Sequence, residues 1–306
     1  VPTFECRSNN ETRDDTRARQ QPTIRRPGKH GDQQRCIAVQ WNVNGLQERY
    51  AELQLIVSKH LPTIIAVQET RLSRMDFMDR FHQAEYKWSI RPGPNSSSQN
   101  GVGLAIHQST QYTYLKLKTS LQVVAARVTY PVEATYASIY IQCHMPPREL
   151  AAELESLITE LPLPFVLLGD FNAHSPLWGS SKHDAKGAII EDFVANHNLL
   201  VLNTGDHTRL DPRSGSTSAI DLTIISAELA SKFIWQVEAD NHTSDHFPVI
   251  LNLPDPKPIE QRRKRWLHNQ ANWEEYETIL LERLPRDQLF SVEELSEQII
   301  YAAEHA

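Results

Sequence analysis

Short apolar runs, separated by polar and turn-forming residues, recur along the chain between positions 36 and 253. Runs of this length that are rich in β-branched residues and bounded by turns are typical of β-strands. The alternation of apolar and polar side chains is clearest around Tyr112 and Tyr114. The predicted strands cover residues 36–41, 63–67, 101–107, 112–118, 121–130, 134–142, 164–168, 219–225 and 247–253.

Three other segments place apolar residues three or four positions apart, which is the spacing of one helix face. They cover residues 48–60, 148–161 and 187–198, and the second has Leu150, Leu154 and Leu157 on one face. Many strands in runs, with few helices between them, indicate packed sheets with helices outside. The predicted class is therefore α+β, with two packed and mostly antiparallel sheets.

The composition of the chain changes near residue 35 and again near residue 254. Residues 1–34 are rich in Arg, Asp, Gln and Asn and hold few large apolar side chains, so we expect a disordered leader. Residues 35–254 carry the strand and helix pattern and are predicted to form one domain. Residues 255–306 begin as a proline-containing linker with a basic run at 262–265, followed by Trp266, Trp273 and a helix that a Ser291–Glu294 capping box opens.

Length and charge limit the functional classes. The chain has 306 residues and 40% hydrophobic content, enough for a large core, and no apolar run is long enough for a membrane span. Its three cysteines lack metal-type spacing, which favours a reducing, intracellular compartment. The net charge of −7 argues against a broad basic nucleic-acid surface. Contacts with phosphates are therefore expected only at local basic residues, which are Arg71, Lys182, Lys186, Arg209 and Arg213.

The sequence Gly169-Asp170-Phe171-Asn172 directly follows the apolar run at 164–168 and carries the strongest chemical signal. Gly169 is expected to allow a tight turn, and Asp170 and Asn172, two positions apart, would point the same way in extended backbone. A carboxylate and an amide at a strand end suit a phosphate and an activated water. A polar strand end followed by a turn is the alternative for this motif alone.

Further motifs occur in a fixed order around it. They are Gln40-Trp41-Asn42-Val43-Asn44-Gly45-Leu46, Gln68-Glu69-Thr70-Arg71, Ala137-Ser138-Ile139-Tyr140, Ser218-Ala219-Ile220-Asp221 and Thr243-Ser244-Asp245-His246-Phe247-Pro248. Over residues 35–254 this series resembles the endonuclease/exonuclease/phosphatase superfamily, and in particular the apurinic-like endonuclease domain of non-LTR (LINE-type) retrotransposons. The resemblance implies a four-layer α/β/β/α sandwich. It also implies that residues 255–306 lead toward a reverse transcriptase domain.

The resemblance assigns expected roles to the motif residues. Glu69 and Asn42 are expected to bind Mg²⁺, or Mn²⁺ in its place, because Mg²⁺ prefers oxygen ligands. The expected catalytic residues are Asp170, Asn172, Tyr140, Asp221, His246 and Asp245. Asp170 would activate the attacking water, while Asn172 and Tyr140 would hold the phosphate.

One question about these residues stays open at this point. A carboxylate beside His246 would favour the imidazolium, and either Asp245 or another acid could supply it. Asn44 is interpreted as a turn residue. After Tyr140 the segment 141–146 replaces the family's usual small residue and proline, so His144 is interpreted as a surface residue. His174 is interpreted as closer to the site.

Residues 206–218 form a polar segment that includes Arg209 and Arg213. In retrotransposon endonucleases a hairpin in this region enters the minor groove, so both arginines are expected to contact DNA. An ordinary exposed loop is the alternative.

The leading functional hypothesis is a Mg²⁺-dependent endonuclease that nicks double-stranded target DNA and primes reverse transcription. Element RNA would then bind through other domains, and the protein would act in the nucleus. An apurinic repair nuclease or another phosphoesterase is the enzymatic alternative. A non-catalytic nucleic-acid-binding module is the alternative from another class, and the full set of acidic, amide and histidine residues argues against it.

Overall fold

A computed structural model describes residues 35–72, 85–93, 100–254, 272–284 and 290–305. The chain divides into two compact units, Val1–Asp255 and Pro256–Ala306. The expected leader at 1–34, the basic run at 262–265 and Trp266 lie outside the described residues.

The first unit contains two six-stranded sheets and a small hairpin. The first sheet has the order β13-β14-β1-β2-β4-β3. Its strands are β1 (Cys36–Asn42), β2 (Ile64–Gln68), β3 (Tyr86–Arg91), β4 (Val102–His107), β13 (Ile234–Val237) and β14 (Val249–Asn252). Strands β1 and β2 are parallel, and the other pairs are antiparallel.

The second sheet repeats this plan, with the order β5-β6-β7-β8-β12-β9. Its strands are β5 (Tyr112–Tyr114), β6 (Gln122–Val128), β7 (Ala134–Tyr140), β8 (Phe165–Asp170), β9 (Leu199–Val201) and β12 (Asp221–Ser226). Here β7 and β8 are the parallel pair. Strands β10 (Arg209–Leu210) and β11 (Thr217–Ser218) form the separate hairpin.

Three apolar clusters hold the four layers together. One cluster fills the space between the sheets, with Tyr136 and Leu104 among its fully buried members. The second joins the second sheet to helices α2 (Pro147–Glu160) and α3 (Ala185–Asn196). The third joins the first sheet to α1 (Tyr50–His60). This arrangement confirms the predicted α/β/β/α sandwich.

The structure corrects several predicted boundaries. The predicted strand at 112–118 is wrong beyond Tyr114, where regular pairing with β6 ends. Strands β3, β9 and β13 were absent from the sequence prediction. These strands are short or lie at sheet edges, where partly exposed side chains give little apolar pattern.

Gly169 is needed for close packing, and its predicted role in a tight turn is wrong. It lies inside β8, and a Cβ at this position would meet the backbone oxygen of Ile139 on β7 at 1.9 Å. The turn comes later, at Asn172, whose backbone is left-handed with φ 45°. The extended geometry assumed for Asp170 and Asn172 therefore ends at Asp170.

Strand register brings the motif residues to one end of the sandwich. Asp170 lies beside Tyr140 on the parallel β7 and opposite Asp221 on the antiparallel β12. In the first sheet Asn42 lies beside Gln68, so Glu69 follows at the same edge. Acidic and polar side chains at the strand ends of both sheets therefore lie at one end of the sandwich.

The second unit contains α4 (Trp273–Arg283) and α5 (Val292–His305). The predicted capping box is confirmed, because the Ser291 N–H donates to Glu294 Oε2 and the Glu294 N–H donates to Ser291 Oγ. Across the described part of the chain, no helix combines the length and the apolar character needed to cross a lipid bilayer.

Candidate active site

His246 is paired with Asp221 in the buried interior of the site. The Nδ1 atom of His246 lies 2.8 Å from Asp221 Oδ2, and both side chains are almost fully buried. The Thr208 hydroxyl and the Gln40 amide donate to the same carboxylate at 2.6 and 3.2 Å. The acid left open by the sequence is therefore Asp221, at the start of β12 in the other sheet, and not Asp245, which is adjacent in the chain.

Charge at this pair favours an imidazolium. Burial alone would lower the pKa of His246, but Asp221, Asp170 and Asp245 together raise that pKa to about 9. The ring nitrogen Nε2 lies 3.9 Å from both Asp170 Oδ2 and Asp245 Oδ2. The protonated ring therefore presents an N–H toward the space that these two carboxylates border.

Asp170 is buried at the centre of the site. Its Oδ1 accepts the Asn172 N–H at 2.9 Å, and its Oδ2 accepts the Asn42 amide at 2.9 Å. Burial and the neighbouring Asp221 raise the pKa of Asp170 to about 7, although His246 opposes this rise. A carboxyl group with such a pKa can take up and release a proton near neutral pH.

Glu69 lies across from Asp170 and shares a hydrogen-bond donor with it. The Asn42 amide nitrogen donates to Glu69 Oε1 at 3.1 Å as well as to Asp170. Arg71 donates to the other Glu69 oxygen at 3.1 Å, so this arginine contacts the acid and not the solvent alone. Glu69 has a left-handed backbone with φ 49°, a strained conformation of the kind that clusters at functional sites.

Tyr140 and Asn172 form one wall of the site. Tyr140 lies close to Glu69, and burial together with Glu69 and Asp170 raises the pKa of the Tyr140 phenol. The Asn172 amide nitrogen donates to the Ile141 carbonyl at 2.9 Å, and its oxygen lies 3.0 Å from the Cys143 thiol. An amide group has two N–H donors, so one remains for a ligand.

Asp245 forms the opposite wall. It accepts from the Asn44 side chain at 2.8 Å and from Arg209 Nε at 3.0 Å. Burial would raise the pKa of Asp245, but His246 and Arg209 lower it below its usual value. Asn44, with φ 47°, is a turn residue as predicted, and it also orients this acid.

The hairpin of β10 and β11 borders the site, and its two arginines differ. Arg209 is half-buried and paired with Asp245, whereas Arg213 is exposed near the tip. Both line a cavity of about 510 Å³ that also contacts Arg49 and Asp245. The segment 206–218 is thus a structured hairpin, in which Arg213 is exposed and Arg209 is held by Asp245.

The donors present fit a divalent cation in two neighbouring positions. Glu69 and Asp170 face the same amide group, and closely spaced carboxylates suit Mg²⁺. One ligand atom from each of Asp170, Asp221 and His246 also falls within 4.8 Å of the others. His246 is a poor ligand while protonated, which favours the position at Glu69. In the present orientation Asn42 directs its nitrogen to the carboxylates, because its oxygen accepts the Asn44 N–H.

Three residues that hold the site were missed by the sequence prediction. Thr208 and Gln40 both bind Asp221, and the Trp41 indole donates to the His246 carbonyl at 2.9 Å. Gln40 and Trp41 lie within the quoted motif, next to Asn42, and their burial in a strand was a usable signal. Thr208 carries no such signal in the sequence.

Known proteins resemble this chain in sequence and in fold. Residues 134–250 match the family described as endonuclease-reverse transcriptase. Among solved structures, the chain is similar in fold to the endonuclease domain of TRAS1, a telomere-specific non-LTR retrotransposon, with a TM-score of 0.62 and 21% identity over 71% of this chain and 96% of that one. An AP endonuclease from Archaeoglobus fulgidus has the same fold, with a TM-score of 0.58 and 16% identity over 71% and 98% of the two chains.

The curated relatives that this chain matches come from mobile elements. The RNA-directed DNA polymerase from mobile element jockey of Drosophila funebris is 27% identical over 230 residues, which cover 70% of this chain and 23% of that protein. A probable RNA-directed DNA polymerase from transposon X-element of Drosophila melanogaster is 24% identical over 251 residues, which cover 80% and 27%. The chain spans about a quarter of the length of these relatives.

Proposed function

We propose that residues 35–254 form a divalent-metal-dependent endonuclease domain that hydrolyses a phosphodiester bond in double-stranded DNA. The observation that carries the proposal is the convergence of a proton-accepting carboxyl, Asp170, with a protonated His246 and an accessible Glu69 at one edge of the sandwich. Phosphodiester hydrolysis needs groups of these kinds.

Each residue of the site then has a distinct task. Asp170 accepts the proton of the attacking water, and the Asn42 amide orients its carboxylate. The Nε2–H of His246 stabilises negative charge on the phosphate, and Asp221 keeps that ring charged and oriented. Asn172 and Tyr140 hold phosphate oxygens. A bound Mg²⁺ beside Glu69 would offset the negative charge of the phosphate.

We further propose that the nick primes reverse transcription of element RNA in the nucleus. The relatives named RNA-directed DNA polymerase support this role, as does the match to the endonuclease-reverse transcriptase family. Residues 255–306 would connect the nuclease to a polymerase domain. Target DNA is the proposed partner of this domain, and RNA would bind through the polymerase.

A plasmid assay tests the proposed function. The chain is incubated with supercoiled plasmid in Mg²⁺, in Mn²⁺ and in EDTA, and a duplex with one abasic site is tested in parallel. We expect metal-dependent conversion to open circles, with intact DNA cleaved at least as well as the abasic duplex. Cleavage confined to the abasic duplex would favour a repair nuclease, and binding without cleavage would favour a non-catalytic module.

Glu69→Gln is expected to weaken metal binding without removing the proton acceptor. The variant should need more Mg²⁺ for half-maximal nicking and should recover much of its rate at high Mg²⁺, because one ligand charge is lost. A Mg²⁺ titration of the initial nicking rate measures this, and Glu133→Gln, an exposed acid, is the control. An unchanged half-maximal Mg²⁺ concentration would place the ion elsewhere.

Replacing the hairpin tip is expected to change where the enzyme nicks more than how fast. Exchanging all of 206–218 would not test this, because Thr208 and Arg209 hold Asp221 and Asp245. Exchange of only residues 212–214 for Gly-Ser-Gly removes Arg213 and spares those contacts. Sequenced nick positions should broaden or shift, while the total rate stays within a few-fold.

Arg148→Ala, which removes one exposed positive charge from α2, is the control for the tip variant. An unchanged nick pattern in the tip variant would exclude readout of DNA by this hairpin.

A further inference from the structure

Lys186 has an unusual position for a lysine. It lies in the first turn of α3, it is only 8% exposed, and its Nζ donates to the carbonyls of Gln142 and Cys143 at 2.7 and 2.8 Å. The sequence predicted a surface cation that could meet a phosphate, and the structure contradicts this. Burying an ammonium group is costly unless its donors are satisfied, so the contact with these two carbonyls needs a reason.

The loop that Lys186 binds also holds Asn172. The segment 141–143 follows β7 and runs beside the end of β8, where the Ile141 N–H donates to the Asp170 carbonyl at 2.8 Å. The Ile141 carbonyl accepts the Asn172 amide, and the Cys143 thiol donates to the Asn172 oxygen. Both ends of the Asn172 amide therefore depend on this segment.

The first turn of α3 is itself fixed in place. Asp184 caps the helix by accepting the Gly187 N–H at 2.7 Å, and it also accepts the His174 N–H at 3.2 Å. A Cβ at Gly187 would meet the His174 carbonyl oxygen at 2.0 Å, so the helix start lies directly against the chain that follows Asn172. Lys186 thus extends from the fixed first turn of α3 to the segment 141–143, which contacts the Asn172 side chain.

We propose that Lys186 is a positioning residue for the phosphate-binding amide of Asn172. Its ammonium group fixes the carbonyls of residues 142 and 143, this loop fixes both ends of the Asn172 amide, and the remaining Asn172 N–H is thereby aimed into the site. The proposal rests on the proposed function in so far as Asn172 binds phosphate.

A double-mutant cycle between Lys186 and Asn172 tests the proposal. Lys186→Met should lower kcat for plasmid nicking about tenfold, with a smaller change in KM. Asn172→Ala should lower kcat by about 10² to 10³, the loss expected for one transition-state donor. In the Asn172→Ala background, Lys186→Met should cost no further rate, because its effect passes through Asn172. Lys232→Met, an exposed lysine, is the matched control. A full additional loss in the double variant would overturn the proposal.

Hydrogen exchange gives a readout that does not depend on activity. In Lys186→Met the backbone amides of Ile141 and Met145 should exchange about tenfold faster, the equivalent of one charge-assisted hydrogen bond, while exchange in β1 and β12 stays unchanged. Unchanged exchange at 141–145 would overturn the proposal even if the rate fell. Lys186→Gln, a shorter neutral donor, serves for the same measurements if the Met variant does not fold. A wild-type chain that cleaves no DNA would overturn the proposed function, and exchange would still decide the placement of the loop.

Discussion

Asp170→Asn is expected to reduce the rate of DNA nicking by about 10² to 10⁴, the loss usual for a missing general base. The substitution keeps the size of the side chain and one of the two oxygens that accept from the Asn42 amide and the Asn172 N–H. It removes the carboxylate that can accept the proton of water, together with one hydrogen-bond acceptor. Initial nicking rates at saturating Mg²⁺ measure the effect.

The same variant should not lose stability. Burial and the neighbouring Asp221 disfavour the ionised form of Asp170, which raises its pKa to about 7. A raised carboxyl pKa means that ionisation costs folding free energy as the pH rises through that range. At pH 8 in EDTA a neutral amide avoids this cost, which offsets the loss of one hydrogen-bond acceptor. The melting temperature should therefore stay equal or increase. Near-normal nicking by a variant with this stability would exclude Asp170 as the base, and Asp192→Asn, an exposed acid on α3, is the control.

Asp221→Asn is expected to cost about 10² to 10³ in rate, the range for losing one electrostatic contact to the transition state. Asp221 is the main group that raises the pKa of His246 to about 9. With a neutral amide in its place, His246 should titrate at lower pH and be mostly neutral at pH 8. The rate should therefore fall most at alkaline pH.

The expected pH dependence follows from the raised pKa of His246. A histidine pKa raised in the folded state adds stability that is complete below the unfolded value of about 6.5 and is lost as the pH rises toward 9. The wild-type rate should fall along an alkaline limb near pH 9, and Asp221→Asn should move this limb to lower pH. A limb at the same pH in both proteins would mean that Asp221 does not hold the charge on His246.

The sequence predicted the sandwich because apolar strands and amphipathic helices carry strong periodic signals. It also predicted the residues that meet at the site, since motifs at strand ends converge when the strands share an edge. Docking of the two sheets decided what the sequence could not predict: Asp221 begins β12 of the second sheet, whereas His246 precedes β14 of the first sheet. No spacing along the chain encodes the contact between them.

Other features depend on local packing and could not be predicted from sequence patterns. The need for Gly169 arises from the approach of Ile139 on another strand. The inward turn of Lys186 arises from the path of the segment 141–143, which has no regular pattern of its own. The roles of the individual site residues remain predictions, for which the variants described here are the tests.

The site is divided between the two sheets, and this division couples chemistry to assembly of the fold. Asn42 and Glu69 belong to the first sheet, whereas Tyr140, Asp170 and Asp221 belong to the second. The Asn42–Asp170 and Gln40–Asp221 hydrogen bonds form only when the two sheets dock face to face. Nuclease activity therefore requires that both sheets are folded and docked. A folding intermediate that contains only one of the sheets would lack some of the site residues and would not cleave DNA.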